Sequence, residues 1–158
     1  MESVRVFLAL AAQEGWRVHH MDVKSTFLND ELKEEVYVRQ QPGFVVARKE
    51  DKVYRVRKAL YGLRQAPRAW NAKLDATLKV MGFQQIAHEA AVYRRGSGRT
   101  VLLVGIYVDD LIITGAEEEE MVKFKAQMKD KFDMSDLGLL CFYLGVEVRQ
   151  DASGITLR

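Results

Sequence analysis

The chain contains a single cysteine, Cys141, and two prolines. A lone cysteine excludes an intrachain disulfide and a multi-cysteine zinc site, and it fits a reducing compartment. An excess of charge is also missing. Lys and Arg total 24 against 22 Asp and Glu, a net +2. Bulk charge therefore does not announce a nucleic-acid binder, and any such role must come from local clustering. No uninterrupted apolar run reaches the roughly 20 residues that span a bilayer. The start, "MESVRVFLALAAQEGW", carries Glu2 and Arg5 and makes a poor signal peptide. No internal repeat, linker or low-complexity tract is visible. What remains is an ordinary globular composition, 48% hydrophobic and 29% charged over 158 residues, enough for one domain with a real core. An intracellular, soluble protein is the expectation.

The hydrophobic spacing predicts a helix over 2–14, with Val4, Phe7, Leu8 and Ala11 on one face and Gly15 as its stop. "WRVHHMDV" (16–23) reads as a strand that delivers Asp22 at its end. "EVYVRQ" (35–40) and "KVYRVRK" (52–58) read as a strand pair around a Pro-Gly turn. A helix follows Pro67, with Trp70, Leu74, Leu78 and Met81 as its stripe and Gly82 as its cap. "AAVYRR" and "RTVLLVGIYV" read as hairpin strands. "EEEEMVKFKAQMKDKF" (117–132) reads as a helix whose glutamates crowd the N-terminus, as the dipole prefers. "CFYLGVEVRQ" and "ITLR" read as a closing hairpin. Strands alternating with three helices predict one α/β or α+β layer with helices on one face of a sheet.

One stretch breaks this pattern. "GIYVDDLIITG" (105–115) is a strand-forming apolar run with two adjacent acids at its centre. Ionised carboxylates are not buried unpaired, so the chain must turn at Asp109–Asp110. The simplest solution is a hairpin with both acids in its tight turn, Asp tolerating the positive φ that such turns need. Repulsion would raise one pKa unless a cation sits between them. Hard divalent ions take carboxylate oxygens and keep water and substrate phosphate as other ligands. Two such ions can clamp both oxygens of a phosphoryl transfer. A further carboxylate is needed, and Asp22 supplies it if the 16–23 and 101–108 strands are neighbours. The dipeptide alone also suits a plain surface turn.

Beyond the acids, "YVDD" (107–110) resembles the polymerase signature of reverse transcriptases. "MDVKSTFLNDEL" (21–32) resembles the first aspartate motif of the copia-type (Ty1/copia) retrotransposon enzymes. "KALYGLRQAPRAWNAKLD" (58–75) resembles their template-contacting motif, and "MSDLGLLCFYLGVEV" (134–148) their primer grip. The motifs run in the family's order over almost the whole chain, and the similarity is to the plant-type polyproteins. The resemblance implies a reverse-transcriptase palm, an α+β fold with an antiparallel sheet backed by helices, like the ferredoxin-like split βαβ. It implies Asp22, Asp109 and Asp110 as catalytic carboxylates, which with the carbonyl of Val23 hold Mg²⁺ or Mn²⁺. It implies Phe27 as a steric gate against a 2′-hydroxyl, and Gly62 and Gln65 beside the nucleotide. Pro67, Arg64 and Arg68 would lie along the template, and Tyr107, Leu144 and Gly145 at the primer end. The implied partners are an RNA or DNA template with primer and deoxynucleotide triphosphates, without a membrane. The implied location is the cytoplasm, in a retrotransposon particle, or the nucleus.

Read without that resemblance, Phe27 suits a core aromatic, "YGLRQAP" a turn before a helix, Leu144–Gly145 a strand kink and Tyr107 a buried strand position. Arg48, Lys49, Lys52, Arg55, Arg57, Lys58, Arg64 and Arg68 fall within 21 positions. They suit phosphate neutralisation or a solvated strand edge guarded by charge. "EEEE" (117–120) is a helix start, and His19, His20 and His88 lack a metal-ligand pattern.

Against the family pattern the chain begins only about 20 residues before Asp22, and Asp30 stands where Gly is usual. The expectation is a palm over 1–158 lacking most of the fingers, the thumb and the ribonuclease H parts. Two hypotheses follow. One is an RNA-directed DNA polymerase using two-metal nucleotidyl transfer. The other is a catalytically inactive, truncated or domesticated remnant that binds nucleic acid or protein. Exposed palm surface predicts self-association or a protein partner, with Phe44 and the last hairpin as contacts.

Overall fold

A computed structural model of the chain describes residues 2–24, 31–58 and 66–158, with side chains from residue 3 in the first stretch and from residue 34 in the second. The chain divides into two compact units, Ser25–Asp75 and the remainder, Met1–Lys24 with Ala76–Arg158.

In the larger unit, helix α1 (Glu2–Glu14) leads into β1 (Val18–Val23). Phe7, Leu8 and Ala11 are buried, as their spacing requires. Gly15 has φ 69 and donates to Ala12, while Trp16 N–H reaches Ala11. That pair of bonds is the Schellman ending that glycine permits. Gly82 ends α2 (Ala66–Val80) in the same way. Along α2, Trp70, Leu74 and Leu78 form the expected buried stripe; the boundary between the units falls inside this helix.

The rest of the larger unit is strands around one helix. They are β4 (Gln84–Ile86), β5 (Glu89–Arg95), β6 (Leu102–Tyr107), β7 (Asp110–Gly115), α3 (Glu118–Lys131), β8 (Met134–Leu139), β9 (Phe142–Tyr143), β10 (Val146–Asp151) and β11 (Gly154–Leu157). Five of these strands and β1 form a six-stranded antiparallel sheet in the order β4-β5-β6-β7-β1-β8, and β11-β10-β9 form a three-stranded sheet. The smaller unit holds the antiparallel pair β2 (Glu31–Arg39) and β3 (Val53–Lys58).

Helices cover both faces of the six-stranded sheet, which corrects the expectation of helices on one face. Val18, Leu103 and Ile112 cluster with Phe7, Leu8 and Ala11 of α1 and with Tyr143 and Val148 of the last strands. On the opposite face His19 meets Lys125 of α3. Strands apolar on both faces need cover on both. Helix α3 has Glu117 at its N-cap position, carries Glu118–Glu120 in its first turn and buries Met121, Phe124 and Met128. Phe124 lies 5.1 Å from Phe83, and the Arg95 guanidinium sits 4.7 Å over that ring.

Two further differences concern strands. "CFYLGVEVRQ" is broken by a turn at Leu144–Gly145, so the closing hairpin has three strands. The segments 84–86 and 134–139, unassigned from sequence, are β4 and β8. Among the described residues no helix is long and apolar enough to cross a membrane.

Candidate active site at the β1–β7 rim

Asp22 and Asp110 face each other across β1 and β7. The N–H of Val23 donates to the carbonyl of Asp109 at 2.9 Å. A bond flanking the pair in this way marks Asp22–Asp110 as a pair without mutual backbone bonds, where Cα atoms stand about 4.5 Å apart and side chains share one face. Acids 88 positions apart along the chain thus meet at one sheet edge.

The β6–β7 hairpin presents them. Ile106 pairs with Leu111, Gly105 with Ile112 and Val104 with Ile113, which leaves Tyr107 opposite Asp110 and a two-residue loop, Val108–Asp109. The expectation that both acids occupy the turn is therefore corrected by one residue: Asp110 opens β7. Apolar register decides this, since a one-residue slip would turn the whole strand over. The expected neighbours are corrected too, because β7 lies between β6 and β1. Positive φ falls on Val108, at 55°, and not on an aspartate. Left-handed backbone at a β-branched residue is a genuine outlier, and such strain persists only where the surroundings enforce it. Val108→Gly should therefore raise the melting temperature by about 2 °C, glycine being the usual residue at this loop position. An unchanged or lower value in a thermal melt would show that the turn is unstrained.

Like charge is concentrated here. Burial, then Asp109 and Asp110, push the Asp22 carboxyl above its ordinary value, with His20 and Lys24 opposing. Burial and the charges of Asp110, Tyr107 and Asp109 push the Tyr143 hydroxyl up as well. Tyr107 is 50% exposed, so the reading as a buried strand tyrosine is overturned. Leu144 (φ 49) and Gly145 (φ 83) form the two-residue turn between β9 and β10, directly after the buried Tyr143.

The site-residue expectations thus separate. Asp22, Val23, Tyr107, Asp109 and Asp110 come together at one rim, and the Leu144–Gly145 turn adjoins Tyr143. Pro67 and Arg68 lie in the first turn of α2, in the smaller unit. Phe27, Gly62, Arg64 and Gln65 lie outside the described residues. Sequence reasoning passed over His20, whose Nε2 donates to Oδ1 of Asp110 at 2.6 Å. Its position two residues before Asp22, hence on the same strand face, was the available signal. Among the described residues no group of three or more His, Cys, Asp and Glu side chains is arranged to hold an ion by itself.

A second polar cluster lies on the other face. Lys125, 9% exposed, reaches His19 Nδ1 at 2.7 Å and both oxygens of Asp136 at 3.1 Å. His19 Nε2 is buried without a partner. Burial, then Lys125, hold the His19 pKa below its ordinary 6.5. Folding thus disfavours the protonated ring, and this contribution is full above pH 6.5 and is lost as pH falls below it. Thermal melts between about pH 5 and 7.5 should show that loss, and His19→Gln should flatten it; an equal slope in the variant would contradict the assignment.

Comparisons with known proteins identify the family. The family model described as "Reverse transcriptase (RNA-dependent DNA polymerase)" matches residues 1–158. The chain is 38% identical over 149 residues to the "Retrovirus-related Pol polyprotein from transposon TNT 1-94" of Nicotiana tabacum, covering 94% of this chain and 11% of that protein. It is 34% identical over 155 residues to the corresponding polyprotein from transposon RE2 of Arabidopsis thaliana, covering 98% and 11%. It is 36% identical over 138 residues to a putative transposon Ty5-1 protein of Saccharomyces cerevisiae, covering 87% and 45%. The chain belongs to the reverse transcriptase (RNA-dependent DNA polymerase) family. It is a reverse transcriptase domain of the copia-type Pol polyproteins, spanning about a tenth of the length of the plant relatives it matches.

Proposed function

We propose that the chain is the palm of an RNA-directed DNA polymerase that extends a primer 3′-hydroxyl with deoxynucleotides. The pairing of Asp22 with Asp110, with Asp109 in the adjoining turn, is the observation that supports this reading. Oxygen donors of this kind suit Mg²⁺ or Mn²⁺, which bind through one or two carboxylates and take their remaining ligands from water and substrate phosphates. The raised Asp22 pKa fits a site short of positive charge. Asp22, Asp109, Asp110 and the Val23 carbonyl would hold the ions, which when bound supply charge neutralisation at the attacking and leaving oxygens. The residues' own part is positioning. The sheet register fixes Asp22 against Asp110, and the half-exposed Tyr107 offers a ring beside Asp110 for the primer end. In the smaller unit, the exposed Arg48, Lys49, Lys52, Arg57 and Lys58 suit template phosphates.

Primer extension on an RNA template with Mg²⁺ or Mn²⁺ tests the reading. Extension by the wild type that vanishes in Asp109→Asn/Asp110→Asn supports it; extension that survives the double substitution contradicts it. Self-association is part of the same proposal. Phe44 is 76% exposed and Phe142 60%, and a clean monomer at high concentration in sedimentation would exclude contact through them.

A further inference from the structure

His20 sits between the core and the acids. It pairs with Ile112 in register, one diagonal step from Asp110, within reach of a long side chain. Its Nε2 donates to Oδ1 of Asp110 at 2.6 Å. Its ring meets Tyr143 edge-on, centroids 5.7 Å apart at 85°. Tyr143 is 4% exposed and belongs to the cluster built by α1, the sheet and the last strands, so the imidazole has a rigid backing. The His20 side chain is itself 13% exposed, against 27% for Asp110. One carboxylate oxygen of Asp110 is thus committed to a part-buried donor, while the second keeps its acceptor capacity.

We infer that His20 is a positioning residue, which holds Asp110 by one oxygen so that the other is directed to a divalent ion shared with Asp22. The inference rests on the polymerase reading proposed above. Carboxylates that bind ions are commonly held by such outer partners, whose removal weakens the ion by ten- to a hundredfold. The bond ties Asp110, through His20 and Tyr143, to the core that α1 covers.

The test is Mn²⁺ binding to the ion-free chain, followed by electron paramagnetic resonance of the free ion. His20→Ala should weaken binding about tenfold, and His20→Gln, whose amide nitrogen takes the place of Nε2, should stay within about twofold of the wild type. His20→Asn, whose amide ends near the place of Nδ1, should behave as alanine does. Near-UV circular dichroism confirms the fold of each variant. Binding equal to or tighter than wild type in all three overturns the role of His20 and leaves that of the acids intact. Glutamine as weak as alanine overturns it as well, because the hydrogen bond would then not be what matters. A wild type with no Mn²⁺ site that Asp22→Asn removes overturns the polymerase reading, and this inference with it.

Discussion

Asparagine in place of Asp22 is expected to lower primer extension by at least about a hundredfold and to raise the melting temperature of the ion-free protein by about 2–4 °C. The two effects have one cause. Burial and the neighbouring acids raise the Asp22 pKa. A carboxyl whose folded pKa is raised contributes stability below its unfolded value near 3.8 and loses that contribution as pH rises through the folded value. At neutral pH the ionised group therefore destabilises the apo fold, and a neutral amide removes the repulsion. The advantage of the variant should shrink as pH falls through the raised folded value toward 3.8, as the wild-type carboxyl takes up its proton. Adding Mn²⁺ should reverse the order, because ligand binding stabilises only the form that binds it. An Asp22→Asn protein that melts lower than wild type without ions, or that still extends primers, contradicts this picture.

Phe124→Ala should cost about 4 kcal/mol, a large share of the 5–15 kcal/mol that holds a typical domain together. Phe124 is fully buried, packs against Phe83 and belongs to the face of α3 that covers β7 and β8. Removing the ring leaves a cavity that Phe83 cannot fill, since Phe83 is held under the Arg95 guanidinium. Arg95 in turn reaches the Met81 carbonyl at 3.2 Å. Phe124→Leu, which keeps most of the volume, should cost only about 1 kcal/mol. Urea unfolding of both variants checks the difference. A loss below about 2 kcal/mol for alanine would mean that the core collapses into the gap.

Much of this architecture is legible in the sequence. Helices α1 and α3 follow from apolar spacing, from glycine at the end of α1 and from glutamates at the start of α3. Two acids inside an apolar run betray a hairpin, because ionised groups cannot stay in a core. What the residues alone do not reveal is register. The loop falls on Val108–Asp109 because Ile106, Gly105 and Val104 have partners that fix it, and strand pairing is non-local information. For the same reason the place of β7 between β6 and β1 was not foreseen. Strand β8, "MSDLGL", alternates too weakly to read as a strand, and its pairing with β1 carries a register shift near Leu137. His20 and Lys125 were missed because their partners lie 90 and 106 positions away. A histidine pair before an aspartate has no meaning until the sheet shows which ring faces the acids.

The most direct measurement of whether these acids act together is anomalous diffraction from crystals of the chain soaked in Mn²⁺. A peak within about 2.3 Å of carboxylate oxygens from both Asp22 and Asp110 is expected. Well-ordered crystals with no peak between them, or with an ion held by one of the two alone, would contradict a shared ion at this rim.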